Sequence, residues 1–297
     1  MKVLVVGGTG FVGTHLCREL RRREHDVTSL SRSPGEADLP EGVTEATGDV
    51  TDYDSIAGAF AGMDAAINLV ALSPLFKPSG GNGMHDEVHR KGTEHCVEAA
   101  EEHGVDRFVQ MSALGADPDG DTAYIRSKGR AESTVRESSL DWTIFRPSVV
   151  FGEGGEFVEF TRLLAPPYVT PLPGGGKTRF QPIWIGDVVE MLAASLESEE
   201  HVGETYDIGG PEVLTLADVA RLAHGARGRS VNVIPVPMAL AGVGLSVAGK
   251  IPGFPMGGDQ YRSLQFDNTT ADNDVDAFGV SEGDLRTLGE YLSTVGS

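Results

Sequence analysis

Tyr124 and Lys128 stand four residues apart in a stretch, 123–138, whose pattern predicts a helix, so the two side chains share one helix face. Twelve residues before the tyrosine comes Ser112, at the C-terminal end of the run Arg107-Phe108-Val109-Gln110-Met111, which reads as a strand. A hydroxyl, a phenol and an ammonium are the parts of a proton-transfer set. A free tyrosine has a pKa near ~10, too high for efficient acid–base work at neutral pH. A lysine cation alongside favours the phenolate and lowers that value. The serine hydroxyl can hold a carbonyl or alcohol oxygen by a hydrogen bond. The same spacing also fits an ordinary helix face with a surface lysine and a half-buried tyrosine. The set acquires meaning only from the elements that position it.

Those elements begin at the N-terminus. The apolar run Lys2-Val3-Leu4-Val5-Val6 leads directly into Gly7-Gly8-Thr9-Gly10-Phe11-Val12-Gly13, and an amphipathic stretch, 11–24, follows without a spacer. Strand, glycine turn and helix in that order bring backbone N–H groups and a helix N-terminus to one point, which suits a pyrophosphate. Gly7 can take the tight turn, Gly10 lets a phosphate approach the backbone, and Gly13 lets the helix pack close to the strand. Strand and helix signals then alternate: strands at 26–31, 43–48, 65–70, 107–111 and 142–145, helices at 53–60, 86–103 and 123–138, and a loop at 73–84. Such alternation predicts an α/β fold with a doubly wound parallel sheet and the ligand beside the first strand. A hydride from a nicotinamide and a proton from Tyr124 would together reduce a carbonyl.

The pattern changes after Gly152. Pro166-Pro167, Pro171, Pro173 and Gly174-Gly175-Gly176 are turn chemistry. Order returns with 180–185, a helix over 187–196 that Asp187 is placed to cap, and a strand at 205–208. From Leu214 onward the segments read as helical. The expected division is a nucleotide domain over 1–151, rejoined by 180–210, and a smaller substrate region from 152–179 and 211–297. Gln181 and Trp184 are candidates to face a substrate.

The chain resembles the short-chain dehydrogenase/reductase superfamily, in its extended and atypical branches. The carrying residues are the GGTGFVG turn, Gly48-Asp49-Val50, Ser112, the Tyr124/Lys128 pair and Arg146-Pro147-Ser148. The segments QMSALGAD, AYIRSKGRAE, DWTIFRPSVVFG, GGGKTRFQPIWIGDV and YDIGGPEVLTLADV are similar to one subgroup, which holds NmrA-like proteins and the nucleotide-binding accessory subunit of respiratory complex I. The resemblance implies a Rossmann fold and roles at matching positions. Gly7, Thr9, Gly10, Phe11 and Val12 would cradle the pyrophosphate, and Asp49 and Val50 would contact the adenine. Leu69, Val70, Ala71 and Leu72 would pass beneath the nucleotide. Lys128 would hold the nicotinamide ribose, and Pro147, Ser148 and Val149 would border the nicotinamide. Asp49 also fits a plain strand-end cap. Extended relatives commonly carry Asn three residues before the Gly-Thr of the long helix; here His89 precedes Gly92-Thr93.

Cofactor choice turns on the end of the second strand. NAD sites usually carry an acidic residue there for the ribose hydroxyls. This chain has Ser31-Arg32-Ser33, and Arg32 could pair with a 2′-phosphate, so NADP(H) is expected over NAD(H). The resulting expectation is an oxidoreductase acting on a carbonyl or alcohol of a small molecule, with Tyr124 as acid–base, Lys128 as its activator and Ser112 as the orienting group. The alternative is a nucleotide-binding sensor, scaffold or electron-transport accessory that docks to a protein partner. Sugar-nucleotide epimerisation would need a pocket for which the sequence carries no signal. Homo-oligomerisation stays open.

Composition narrows the setting. Hydrophobic residues make up 40% of 297, enough to bury a full core. With 44 acidic against 24 basic residues the net charge is −20, which repels nucleic acid and anionic membranes. Cys17 and Cys96 fall inside predicted helices and read as small buried hydrophobes in a reducing, cytoplasmic compartment. The N-terminus enters a strand at once, which argues against a signal peptide. The apolar stretch 238–249 is too short to span a bilayer and reads as a core or lid helix. His85 and His89 stand i,i+4, but no H-E-x-x-H and no cysteine pair accompany them, so no metal is expected.

So acidic a chain suits high salt, where self-repulsion is screened. Raising KCl from about 0.1 to 2 M, which shortens the screening length from about 10 Å to under 3 Å, should raise the melting temperature, and desalting should unfold the protein. Thermal melts followed by circular dichroism check this; a melting temperature indifferent to salt contradicts it.

Overall fold

The computed structural model describes residues 1–35, 37–238, 240 and 258–295. Of the apolar stretch expected as a core or lid helix, only Met238 and Leu240 are described, and 241–249 lie outside the described residues. The chain divides into two units. One comprises Met1–Leu72, Gly80–Pro147 and Ile185–Tyr206, the other Ser73–Ser79, Ser148–Trp184 and Asp207–Ser297.

The first unit is built on β1 (Lys2–Val6), β2 (Asp26–Ser31), β3 (Thr44–Thr47), β4 (Ala65–Asn68), β5 (Arg107–Met111), β6 (Asp141–Pro147) and β11 (Glu204–Ile208). Their order in the seven-stranded sheet is β11-β6-β5-β4-β1-β2-β3. β1 through β6 pair in parallel, with Val3 opposite both Val27 of β2 and Ala65 of β4. The chain runs outward from β1 to β3 and then returns to the other side of β1 at β4. That reversal opens the sheet beside the C-terminal ends of β1 and β4, where ligands of doubly wound sheets bind. Val3, Leu4 and Val5 are wholly buried, because a parallel strand is covered on both faces.

Each face has its own cover. α1 (Phe11–Arg22) buries Leu16, Cys17 and Leu20 at helical spacing and packs against α7 (Ile185–Glu197). On the other face α2 (Tyr53–Ile56), α4 (Gly92–Glu102) and α5 (Ala123–Glu137) meet a core of Leu4, Leu30, Phe60, Ala66, Cys96 and Phe108. Two expected boundaries shift. The long helix begins at α3 (Gly83–His85) and runs through a π-helical turn, Asp86–Lys91, before α4. α7 begins two residues before Asp187, so that carboxylate lies in the first turn and not at the cap, complementing the helix dipole from inside.

The second unit carries three two-stranded pairings: β7 (Val150–Phe151) with β10 (Ile183–Trp184), β8 (Thr170–Pro173) with β13 (Val233–Val236), and β9 (Arg179–Phe180) with β12 (Leu214–Thr215). α6 (Phe157–Leu164) and α8 (Leu216–Gly225) bury Phe157, Val158, Leu216 and Val219 with Leu172 and Phe180. The region after Leu214, read as helical, thus includes strands β12 and β13. α8 starts with a capping box: Thr215 Oγ1 accepts from the Asp218 N–H and Asp218 Oδ2 accepts from the Thr215 N–H, each at 3.2 Å.

Gly13 sets how close α1 comes to the turn. A Cβ there would stand 2.3 Å from the Gly7 carbonyl oxygen and 2.6 Å from Gly8 Cα, both rigid backbone. Gly13→Ala should therefore lower stability by about 1–3 kcal/mol, the usual cost of overpacking. Gly58→Ala, where a Cβ meets nothing within 4 Å, should stabilise by up to about 1 kcal/mol. Urea unfolding midpoints of the two variants check the contrast.

Candidate active site

The glycine turn is shaped for a ligand's phosphates. Gly7 has φ +86 and donates its N–H to Leu30 O at 2.8 Å, which folds the chain back over β2. Gly10 is the extended N-cap of α1, and no side chain caps the helix or adds an acid to its first turn. The first N–H groups of α1 are thus left for an anion. Gly8 is as constrained as Gly13, since a Cβ there would lie 2.3 Å from Ser29 Oγ. Thr9, Phe11 and Val12 are half-buried around the turn.

At the end of β2 Ser31 is buried and its Oγ has no hydrogen-bond partner, whereas Arg32 is exposed and without an ion-pair partner among the described residues. The two side chains point to opposite sides of the strand end, and the exposed Arg32 is the group there that could meet an anionic part of a nucleotide. Asp49 Oδ1 accepts from the Thr51 N–H at 2.9 Å and the Thr51 hydroxyl at 2.8 Å, so the aspartate does close the strand-end turn. Val50 is buried, and its carbonyl accepts from His95 Nδ1 at 2.7 Å. Leu69 donates its N–H to Val6 O, and the Val70 side chain would meet a Gly7 Cβ at 3.2 Å, so the turn after β4 runs against the glycine turn. Ala71 is exposed. These features fit a dinucleotide across the first turn.

Pro147 is the last residue of β6, and its carbonyl accepts from Leu114 N. Ser148 and Val149 belong to the second unit, where Asn268 Oδ1 accepts from the Ser148 hydroxyl at 2.8 Å and from the Val149 N–H at 3.0 Å. Nothing in the sequence flagged Asn268, which stands alone in a stretch without periodic signal. Gln181 is likewise committed to its own unit, holding Gly210 O and Thr270 N.

The proton-transfer residues sit on β5 and α5. Thr122 caps α5 by accepting from Ile125 N, which sets Tyr124 in the first turn. Lys128, one turn on, is only 2% exposed and donates from Nζ to Met111 O at 2.9 Å, at the end of β5. The surface-lysine alternative is therefore excluded. Burial holds the Lys128 ammonium down at about 8, with Glu132 pulling the other way. Burial also pushes the Tyr124 phenol up, so without a ligand it is the neutral, proton-bearing form. That reverses the expectation: burial raises the phenol, and Lys128 does not figure among the causes of its shift.

Ser112 is buried and donates its hydroxyl proton to Glu132 Oε1 at 2.5 Å. Glu132, 1% exposed, is bound bidentately by Arg146 at 2.8 and 2.6 Å and paired with Arg136 at 3.0 Å. The serine proton is thus turned toward this network and not toward a substrate oxygen. The network was invisible in the sequence, because Glu132 and Arg146 are far apart along the chain and carry no spacing signal.

The histidines noted for a metal are brought together differently. Asp86 is held by Arg90 and Glu87 by Lys91, so neither carboxylate joins His85 and His89. Both rings instead meet Tyr124 edge-on, at centroid distances of 5.7 and 5.3 Å.

A lysine whose folded-state pKa is depressed makes the folded state bind fewer protons than the unfolded chain between the two values. Stability then rises with pH through that window. Without nucleotide, the stability of the protein relative to Lys128→Met should climb between pH 8 and 10.5, by on the order of 3 kcal/mol. Urea unfolding of both proteins across that range measures it; a flat difference contradicts the burial of a charged Lys128.

Over residues 7–162 the chain matches the family described as NAD(P)H-binding. It is 28% identical over 291 residues to the mitochondrial NADH dehydrogenase [ubiquinone] 1 alpha subcomplex subunit 9 of Arabidopsis thaliana, covering 91% of this chain and 71% of the relative. To an NAD(P)H azoreductase of Xenophilus azovorans it is 28% identical over 252 residues, covering 82% of each. A nucleoside-diphosphate-sugar epimerase from Staphylococcus aureus shares the fold with a TM-score of 0.76 at 17% identity, over 99% of this chain and 100% of the epimerase. Among the described residues no helix is long and apolar enough to cross a membrane. With the glycine turn, the buried lysine and a family match over more than half of its length, the chain belongs to the NAD(P)H-binding family of Rossmann-fold proteins.

Proposed function

We propose that the protein is an NADP(H)-dependent oxidoreductase that reduces a carbonyl, or oxidises the corresponding alcohol, with Tyr124 as the acid–base group. The observation that carries this reading is the burial of Lys128 one helical turn from Tyr124. Burying an ammonium with a backbone carbonyl as its hydrogen-bond partner costs stability, and such sites cluster where chemistry needs them. When bound, the nicotinamide supplies or accepts a hydride at the substrate carbon. Tyr124 gives its proton to the substrate oxygen in reduction, and its neutral form before binding suits that direction. Lys128 then stabilises the phenolate left behind, and Met111 O fixes the lysine in place. Arg32 supports the choice of NADP(H), as an exposed cation at the end of β2 where an NAD site would carry an acid.

A second reading has its own support. The Ser112 proton is engaged by Glu132, and the chain resembles a respiratory-complex subunit over 91% of its length. On that reading the nucleotide is held as a structural or sensing ligand for a protein partner.

Three proteins separate the readings. NADPH and NADH binding is followed by nucleotide fluorescence, and NADPH oxidation is scanned over aldehydes, ketones and an azo dye. Tyr124→Phe should lower kcat by about 10²–10⁴-fold, the share of a general acid, while leaving NADPH affinity unchanged. Arg32→Ala should weaken NADPH by about 10–100-fold, the loss of one charge-assisted contact, and NADH by under about 3-fold. Tight binding with no turnover on any substrate would replace the enzyme reading with the second one.

A further inference from the structure

The ring contacts around Tyr124 carry more than packing. Leu72 donates its N–H to His89 Nε2 at 2.9 Å, so that nitrogen is an acceptor and carries no proton. The ring proton of a neutral His89 is then on Nδ1, which faces Ser127 Oγ at 2.8 Å. Ser127 passes its own proton to the Tyr124 carbonyl oxygen at 2.8 Å. Every donor in this line is used once, and the direction runs from the turn after β4, through the π-helical turn, into α5. An imidazolium would face the Leu72 N–H with a second donor, so the arrangement needs the neutral ring.

The Tyr124 ring is gripped as well as its backbone. His89 meets it at an interplanar angle of 89° and His85 at 84°, and the two histidine rings lie 5.2 Å apart. The π-helical turn holds His89 at this junction; turns of that kind are frequent at functional sites. Both histidines are 1% exposed.

We propose that His89, with His85, is a positioning residue for Tyr124: the pair clamps the phenol ring and ties it, through Ser127 and Leu72, to the turn that runs against Gly7. The proposal rests on the reading of Tyr124 as the acid–base group. It also fixes the charge of the clamp. The groups that face His89 are Lys128 and Tyr124 on α5 and His85 on α3, and burial with the Lys128 cation holds the ring down at about 2. The clamp therefore stays neutral across physiological pH.

The test reads Tyr124 directly. In full-length protein with ring-labelled tyrosine, Tyr124→Phe assigns one of the six tyrosine signals. Wild type should show a Tyr124 signal displaced by the histidine rings and unmoving from pH 5 to 8. His89→Leu should shift that signal toward the free-tyrosine value and lower kcat by about 10–100-fold, the scale of a misplaced reacting group, with KM within about 2-fold. His89→Gln keeps amide donors and acceptors but no ring; it should shift the signal similarly and recover part of kcat. Should His89→Leu not fold, His89→Gln decides on the same signal. A Tyr124 signal in a folded variant identical to wild type, or one that titrates with a midpoint near 6.5 in wild type, overturns the clamp. If the signal moves as expected but wild type turns over no substrate, the clamp stands and the acid–base reading falls.

Discussion

The whole arrangement depends on how closely α1 approaches the turn that precedes it. With Gly13 against the Gly7 carbonyl and Gly8 against Ser29, backbone touches backbone and side chain where a methyl group would not fit. α1 also has no side-chain cap, because its N-cap is Gly10, which has no side chain to offer. Its first N–H groups could take the oxygens of an anion. Everything downstream is organised about that point: the turn after β4 lies against Gly7, and His89 of the π-helical turn holds the same turn from its other side.

A second constraint concerns charge out of water. Lys128 and Glu132 lie on one face of α5, both almost wholly buried, but their surroundings differ. Glu132 is neutralised by Arg146 and Arg136 and further satisfied by Ser112, so its charge is fully compensated. Lys128 has one backbone carbonyl as its hydrogen-bond partner and the more distant pull of Glu132. One turn of helix thus separates a carboxylate locked into structure from an amine left poised. The Glu132 network braces the strand ends β5 and β6 by joining Ser112 to Arg146.

Much of this was legible in the sequence where the signal is local. The alternating apolar runs and the glycine turn read out β1, α1 and the parallel sheet, because period and turn chemistry are properties of adjacent residues. The Tyr124/Lys128 pair was visible for the same reason. What could not be read is what depends on distant partners. Ser112 was expected to orient a substrate, but which way its proton points is decided by Glu132, twenty residues on and on another element. The lowering of the tyrosine pKa was argued from one neighbour, whereas desolvation by the whole surrounding core dominates. His85 and His89 were spaced as metal ligands on an ideal helix; the π-helical turn that alters their setting has no signature in residue type. Strands β12 and β13 were read as helix because two- and four-residue strands are too short to show a period.

The chain order of the sheet has a consequence for how the protein is made. α7 packs against α1, and β11 completes the edge beside β6, yet both come from residues that follow β10. A nascent chain that has emerged only as far as Pro147 bears the glycine turn and six strands, but not the helix that packs beside α1. The first unit has all of its residues only once Ile185–Tyr206 has been made, after the intervening 148–184 of the second. The two units are therefore interdependent in time: one must wait for the chain to pass through the other.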